Sequence, residues 1–197
     1  MKVNCDDNGI KKSVEIIENG GIIVFPTDTV YGIGCNPYDA NAVKKIYQIK
    51  SREKIKSLPV LASSIEIVKQ ISTIDEFTEK IIKKYWPGPL TLILKLKDQK
   101  LKKSLNLEDK IAVRIPNSVC TLKLLNKCNL IVGTSANVSG DSSFTNPQEC
   151  IKNVKNYDVF VDGGTITSKG ESTIIEIENE KIHVIREGAL KKEDIVI

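Results

Sequence analysis

The sequence predicts an α/β domain, α+β-like in its later part, with a mixed sheet and flanking helices. Strand and helix patterns are interspersed along all 197 residues, with no long linker, repeat or low-complexity tract. Two continuous apolar runs, at residues 22–25 and 130–133, are typical of strands buried on both faces. The tail is rich in strand patterns, so a pure βαβ alternation does not fit. We therefore expect one domain over residues 1–197.

Apolar residues at a spacing of three or four predict the helices. Asp39 is a suitable N-cap, and Pro147 suits the first turn of a later helix. The run WPGP at residues 86–89 ends another helix abruptly. The predicted helices cover residues 9–18, 39–49, 64–71, 75–85, 118–127 and 147–154, with a short final helix at 189–195.

Runs of aliphatic residues predict the strands. Pro26 cannot donate to a ladder, so the first strand should end there. The last two strands should form a hairpin around Glu178-Asn179-Glu180. The predicted strands cover residues 22–25, 58–62, 90–96, 111–115, 130–133, 158–162, 172–178 and 181–186.

Composition narrows the class of protein. Apolar residues make up 41% of the chain and charged residues 27%, which is typical of a globular protein. The net charge of +4 suits an anionic ligand but is weak evidence for nucleic acid. No apolar run approaches the roughly 20 residues that span a bilayer, and the polar N-terminus predicts no secretory signal. We expect a cytoplasmic protein that does not enter a membrane.

The cysteines give a further expectation about the compartment. There are five, and no two form a CxxC pair. This pattern disfavours a zinc site and a disulfide framework, so reduced thiols are predicted. The five are Cys5, Cys35, Cys120, Cys128 and Cys150.

The segment PTDTVYG at residues 26–32 is the first candidate for a binding site. It follows a buried strand, and ligands of α/β sheets bind just beyond strand ends. Thr27 and Thr29 could bind a small polar ligand, and Tyr31 could form a wall beside it. The alternative is a turn whose side chains satisfy its own backbone.

Lys50-Ser51-Arg52 forms the second candidate, within a basic window that also contains Lys56. Arginine supplies bidentate contacts to phosphate and lysine supplies a point charge, so this loop could hold a polyphosphate. The alternative is a solvated charged loop.

The run TSANVSG at residues 134–140 is the third candidate. It follows the buried strand at 130–133 and offers hydroxyls, an amide and exposed backbone N–H groups, which together form an anion nest. The fourth candidate consists of the two ends of the last hairpin, Glu171-Ser172-Thr173 and Arg186-Glu187-Gly188, where Arg186 could reach a phosphate. An ordinary polar loop and a surface arginine are the alternatives.

Arg114 lies within the apolar run IAVRIP at residues 111–116. A strand interior seldom buries an arginine unless it meets an anion, so a substrate carboxylate is one interpretation and a solvent-facing side chain is the other.

The only histidine, His183, disfavours Ser-His-Asp and His-metal mechanisms. No Walker A motif and no full GxGxxG motif occur. The residues favour a phosphate-containing ligand and electrostatic catalysis.

These segments, in this order, resemble the YrdC/Sua5 family of threonylcarbamoyl-AMP synthases. The matching pieces are PTDTVYGIG, the KxR triplet at residues 50–52, LPVL, WPGPLTLIL, AVRIP, TSANVSG, ESTIIEI and REG, and they span roughly residues 9–188. The sequence departs from many members at Glu53 and Ser57, where a proline is common. Larger relatives add a second domain, so we expect the short, single-domain form.

The resemblance implies a twisted open mixed sheet around a concave, YrdC-like cavity. It also implies that L-threonine, bicarbonate and ATP with Mg²⁺ give threonylcarbamoyl-AMP and pyrophosphate. Partner threonylcarbamoyl transferase proteins then modify adenosine 37 of tRNA, and tRNA or double-stranded RNA could bind directly. Carried over by motif, Lys50 and Arg52 would be catalytic. Threonine would contact Thr29, Tyr31, Arg114 and Ser172, while ATP would contact Lys50, Arg52, Lys56, Ser135, Asn137, Ser143 and Arg186.

Two other functions remain open on the sequence. A binding module for double-stranded RNA or ribosomal precursors would show salt-sensitive RNA binding and no ATP turnover. A carbamoyl-transfer domain like that of hydrogenase maturation proteins would normally accompany acylphosphatase and zinc-finger modules, which this sequence does not contain.

Overall fold

A computed structural model of the chain describes residues 1–51 and 57–196. Within these residues the helices begin at side-chain caps, as Asp39 illustrates by accepting from the N–H groups of Asn41 and Ala42. The helices are α1 (Asp7–Glu18), α2 (Ala40–Ile49), α3 (Ile65–Ile71), α4 (Glu76–Tyr85), α5 (Gln99–Ser104), α6 (Val119–Cys128) and α7 (Pro147–Asn153), followed by a 3₁₀ turn at Lys192–Asp194.

The strands are short and most are apolar on at least one face. They are β1 (Lys2–Asn4), β2 (Ile23–Pro26), β3 (Tyr31–Gly34), β4 (Val60–Ala62), β5 (Ser72–Thr73), β6 (Leu90–Leu96), β7 (Lys110–Arg114), β8 (Leu130–Val132), β9 (Thr134–Ser135), β10 (Val159–Asp162), β11 (Thr173–Glu178) and β12 (Lys181–Arg186).

The strands of the described residues form two mixed sheets. The five-stranded sheet has the order β1-β10-β2-β3-β9, with parallel pairs up to β2 and antiparallel pairs beyond it. The seven-stranded sheet has the order β12-β11-β6-β7-β4-β8, and β5 pairs with β6. The predicted α/β class with a mixed sheet is confirmed, but the sheet is divided in two.

Two apolar clusters hold the layers together. On one face of the five-stranded sheet, Ile23 and Phe25 pack with Ile10 of α1 and Leu124 of α6. Val24, on the opposite face, belongs to a larger core shared with the seven-stranded sheet and the remaining helices. Alternate residues of β2 therefore face different cores, which explains why the whole strand is apolar.

The predicted ends of helices and strands agree with the structure where a proline or a turn marks them in the sequence. Pro26 is the last residue of β2, Pro147 opens α7, and the β11–β12 hairpin turns at Asn179 and Glu180, which both have positive φ. The final helix predicted at residues 189–195 is wrong, because only the 3₁₀ turn forms there. The short elements β1, β3, β5, α5 and β9 carry too little periodicity to be predicted.

The prediction of reduced thiols is wrong for one pair of cysteines. Cys5 follows β1 and Cys120 lies in the first turn of α6, and the two form a disulfide with Cα atoms 5.7 Å apart. They are separated by 115 residues, so only the fold brings them together. Cys35, Cys128 and Cys150 are free thiols. Across the described chain, no helix has the length and apolar content needed to cross a membrane.

Candidate substrate site

A cavity of about 690 Å³ opens where the two sheets meet. The β2–β3 turn and the loop after β9 form one side, and the ends of β7, β11 and β12 form the other. Its volume is in the range of small-molecule sites. Most of the residues predicted to bind substrates line it, namely Thr29, Lys50, Arg114, Ser135, Asn137, Ser143, Ser172 and Arg186.

Arg114, the last residue of β7, is a buried cation at this cavity and is 5% exposed. Its Nε donates to the carbonyl of Gly88 at 3.1 Å, and its Nη1 donates to Thr29 Oγ1 at 3.0 Å. Its Nη2 donates to the Asp28 carboxylate in a buried ion pair. Burial lowers the pKa of Arg114 and Asp28 opposes that effect. The solvent-facing alternative for Arg114 is therefore excluded.

The β2–β3 turn combines both interpretations of PTDTVYG. Thr27 Oγ1 donates to the carbonyl of Val30 at 2.7 Å and accepts from the N–H groups of Thr29 and Val30. It therefore satisfies its own turn, as an ordinary Thr/Asp turn does. Thr29 differs, because its hydroxyl accepts from Arg114 as well as contacting Thr27 Oγ1 at 3.0 Å. Thr29 thus connects the turn to the buried cation.

Lys50 follows α2 and is 1% exposed. Its Nζ donates to the carbonyls of Ser135 and Asn137, and to Asn137 Oδ1 at 3.0 Å. An ammonium has three protons, and three acceptors of this loop lie within hydrogen-bond distance of it. Lys50 therefore fixes the backbone of the TSANVSG loop, whose side chains line the cavity.

The TSANVSG loop is ordered by one local contact and one contact with a distant segment. Asn137 Nδ2 donates to the carbonyl of Asp141 at 2.6 Å, and the N–H of Ser139 donates to the carbonyl of Lys50 at 2.9 Å. Ser139 also lines the cavity, and its buried hydroxyl has no hydrogen-bond partner among the described residues. A buried hydroxyl without a partner costs free energy, so this position suits a polar ligand atom.

The hairpin end supplies a second arginine. Arg186 Nη2 donates to the carbonyl of Ser172 at 2.7 Å, and Arg186 Nη1 forms an ion pair with Glu171. Ser172 Oγ lies 2.9 Å from Thr91 Oγ1 of β6. The parallel pairing of β11 with β6 places these hydroxyls together. Ile174 is opposite Thr91 in the register, and Ser172 lies two residues before Ile174, on the same face of the sheet.

One predicted site residue lies away from the cavity wall, and two others lie outside the described residues. Tyr31 is fully buried, its ring is stacked on Phe160 with centroids 5.2 Å apart, and its hydroxyl donates to the carbonyl of Gly164. The prediction that Tyr31 contacts a ligand is therefore wrong. Alternate residues of a strand point to opposite faces, and Tyr31 of β3 faces the core instead of the cavity. Arg52 and Lys56 lie outside the described residues.

Several contributors were not assigned a role from the sequence. Asp28 and Gly88 hold Arg114, Thr91 contacts Ser172, and Glu171 contacts Arg186. Asp28 and Glu171 stand beside predicted site residues, which was the available signal. Gly88 acts through its carbonyl alone, so no side chain could have identified it.

The free thiols and the histidine do not enter the site. Burial raises the pKa of Cys35 to about 12, so it is not a thiolate at neutral pH. His183 is exposed on β12, away from the residues that line the cavity. The remaining chemistry is electrostatic, with two arginines and several hydroxyls facing one volume.

Comparison with protein families gives a match over most of the chain. A family model named Sua5/YciO/YrdC, described as telomere recombination, matches residues 15–188. A relative from Methanocaldococcus jannaschii is 37% identical over 91% of this chain and 87% of its own length. The threonylcarbamoyl-AMP synthase of Pyrococcus abyssi is 33% identical over 94% of this chain, which spans 56% of that protein.

Solved structures give the same result. Pyrococcus abyssi Sua5 in complex with L-threonine has a TM-score of 0.92 at 32% identity, covering 99% of this chain and 59% of that chain. Escherichia coli YciO has a TM-score of 0.88 at 25% identity, covering 100% of this chain and 98% of that chain. The described cavity therefore lies in a fold shared with a protein that binds threonine.

Proposed function

The chain belongs to the Sua5/YciO/YrdC family, and on that premise we propose that it is a threonylcarbamoyl-AMP synthase. It condenses L-threonine, bicarbonate and ATP to threonylcarbamoyl-AMP and pyrophosphate. The observation that carries this proposal is Arg114, a buried cation at a cavity lined by hydroxyls and a second arginine. The curated relatives support the synthase rather than the RNA-binding module.

Arg114 and its neighbours form the threonine subsite in this proposal. The guanidinium pairs with the threonine carboxylate, in place of or alongside Asp28. Thr29 and Ser172 present hydroxyls to the polar groups of the amino acid. Because Arg114 is held from three directions, it is oriented before the substrate arrives, which favours binding.

Arg186, Ser135, Asn137 and Ser143 line the cavity and form the ATP subsite in this proposal. Arg52 and Lys56 are added to it by their motif alone, because both lie outside the described residues. Lys50 acts by holding the loop that carries Ser135 and Asn137. Bicarbonate, threonine carboxylate and triphosphate repel one another, and the arginines offset that repulsion. Catalysis then comes from proximity and from stabilisation of charge in the transition state.

ATP enters with Mg²⁺ in this proposal. Among the described residues, no group of three or more His, Cys, Asp or Glu side chains could hold a metal by itself. Asp141 lines the cavity, however, and Mg²⁺ carried on phosphates needs only one or two carboxylates from the protein. The donor set fits. When bound, the ion neutralises phosphate charge.

The product is passed to partner transferase proteins that modify adenosine 37 of tRNA, and the cytoplasm is the compartment in which this occurs. These partners, direct RNA binding and the location remain predictions. The Cys5–Cys120 disulfide counts against a reducing cytoplasm, because such bonds are rare in cytosolic proteins outside hyperthermophiles.

The test is a pyrophosphate-release assay with ATP, bicarbonate and each amino acid in turn. We expect release that depends on threonine. Release that is absent, or equal for all amino acids, would contradict the proposed reaction. Salt-sensitive RNA binding without ATP turnover would instead favour the RNA-binding module. The variants Lys50→Ala and Arg52→Ala are expected to suppress release.

A second measurement tests the threonine subsite. Arg114→Ala is expected to weaken threonine binding in calorimetry by roughly 1.5–3 kcal/mol, the range for a hydrogen bond to a charged group. Arg114→Lys keeps the charge and serves as the control for folding only, because it too is expected to weaken threonine binding. Unchanged threonine affinity in Arg114→Ala would remove Arg114 from the subsite.

A further inference from the structure

Glu171 places a carboxylate among the groups that form the ATP subsite. Ser143 Oγ donates to its Oε1, and Arg186 Nη1 donates to its Oε2. The side chain lines the cavity and is 29% exposed. Both oxygens are therefore held by residues that were predicted to contact the nucleotide.

Glu171 is ionised at neutral pH. Burial by itself raises the pKa of Glu171, but the Ser143 hydrogen bond and the charge of Arg186 outweigh it, and Ser135 and Lys50 act in the same direction. The pKa is lowered as a result. A full negative charge thus lies where the positive groups of the subsite converge.

Two donors cannot serve a carboxylate and a phosphate in full at the same time. Ser143 has one hydroxyl proton, which it gives to Glu171, and the Nη1 of Arg186 points at the same carboxylate. An arriving phosphate must therefore share these donors with Glu171 or displace it. The two anions also repel each other at short range.

We propose that Glu171 is an internal counter-anion of the ATP subsite, which occupies the place of a phosphate and competes with the ligand for Ser143 and Arg186. The inference rests on the proposed function and deepens it. Glu171 pairs with Arg186, and the charge of Arg186 adds to burial in lowering the pKa of nearby Arg114. Glu171 thereby limits repulsion between the two arginines and weakens the binding of phosphate anions.

The test compares wild type with Glu171→Gln in calorimetric titrations of inorganic pyrophosphate and of ATP, in metal-free buffer. Glutamine keeps the size of the side chain and one acceptor oxygen but removes the charge. We expect Glu171→Gln to bind both anions about tenfold more tightly, which corresponds to about 1.4 kcal/mol at 25 °C. The gain should shrink at high salt, because screening weakens the repulsion that is removed.

Glu187→Gln is the matched control. Glu187 follows Arg186 in sequence but contacts Lys191 Nζ at 3.0 Å and the N–H of Lys192, and it does not line the cavity. Removing its charge changes the net charge of the protein by the same amount. The affinity of Glu187→Gln for pyrophosphate should stay within twofold of wild type, which is a difference on the order of 0.4 kcal/mol.

Equal or weaker pyrophosphate binding by Glu171→Gln would overturn the inference and would make Glu171 a residue that orients Arg186. A gain of the same size in Glu187→Gln would overturn it too. Glu171→Ser removes the charge with a smaller side chain and should change affinity in the same direction. If wild type shows threonine-dependent pyrophosphate release while Glu171→Gln binds pyrophosphate with the affinity of wild type, only this inference fails. If Glu171→Gln binds tighter and wild type shows no such release, only the proposed reaction fails.

Discussion

At the scale of single residues, the cavity is built by giving each buried polar group a partner from elsewhere in the chain. Arg114 is separated by 85 residues from Thr29 and by 26 from Gly88. A buried guanidinium without acceptors would cost several kcal/mol, so these partners are required for folding as well as for binding. The same contacts orient the donors toward the substrate volume.

Thr29→Val tests this dual role. Valine keeps the shape of threonine but removes the acceptor for Arg114 Nη1, while the site remains buried. We expect a loss of about 1–3 kcal/mol in the free energy of unfolding, the cost of a buried donor left without a partner. Urea unfolding measures it, with Thr29→Ser as the control that keeps the hydroxyl. Equal stability of the two variants would show that the hydrogen bond contributes nothing.

The identity of these residues was predictable from the sequence, but their partners were not. An arginine in an apolar run and threonines after a buried strand are local signals. The pairing of Arg114 with Asp28 joins β7 of one sheet to the β2–β3 turn of the other, and the contact of Ser143 with Glu171 depends on two loops. The placement of Tyr31 failed for the same reason, since parity along β3 decides which side of the sheet it faces.

At the scale of elements, the joint between the two sheets is set by close backbone contact. Gly34 of β3 lies against β8, and a Cβ on it would be 1.8 Å from the carbonyl oxygen of Val132. The N–H of Val132 donates to the carbonyl of Cys35 at 2.9 Å. The residues that follow β8 form the TSANVSG loop, so this joint also positions one wall of the cavity.

Gly34→Ala should therefore destabilise the fold strongly. Backbone atoms cannot move aside as a flexible side chain can, so we expect a loss of about 3 kcal/mol or more, at the upper end for overpacking. Gly32→Ala on the same strand is the matched control, because its Cβ would meet the Phe25 ring at 3.2 Å, where a small shift suffices. Chemical denaturation of both variants measures the difference. Losses of similar size would contradict the proposed joint.

Elements with a local stop or start signal were predicted within a residue or two, as at Asp39 and Pro147. The division into two sheets was not, because strand order depends on contacts between distant segments. The final helix failed because residues 192–194 form only a 3₁₀ turn, held by Tyr85 through the carbonyl of Asp194. Tertiary contact decides the outcome in such short segments.

At the scale of the whole molecule, the Cys5–Cys120 disulfide restrains the unfolded chain. It joins residues 115 apart in sequence, and a link that long removes roughly 3–5 kcal/mol of loop entropy from the unfolded state. Reduction, or Cys5→Ser, should lower the free energy of unfolding by that amount. Cys128→Ser is the control, because Cys128 is a free thiol. Identical unfolding with and without dithiothreitol would contradict a disulfide in solution.

Both sheets contribute to the cavity, so a bound substrate should stabilise the whole molecule. Thr29 belongs to the β2–β3 turn of one sheet, while Arg114 ends β7 and Ser172 precedes β11 of the other. A ligand at 100 times its Kd adds about 2.7 kcal/mol when it binds only the folded state. For a chain of this size, that corresponds to a rise in Tm of about 5–10 °C.

Thermal unfolding with saturating L-threonine measures this effect, and L-valine is the control ligand because it has the same shape without the hydroxyl. We expect threonine to raise Tm more than valine in wild type. Arg114→Lys should lose most of the threonine shift, because lysine cannot present the planar fork that pairs with a carboxylate. It should retain the shift with ATP, whose phosphates bind at Arg186. A full threonine shift in Arg114→Lys would show that the carboxylate binds elsewhere, and the division of the cavity into two subsites would then be wrong.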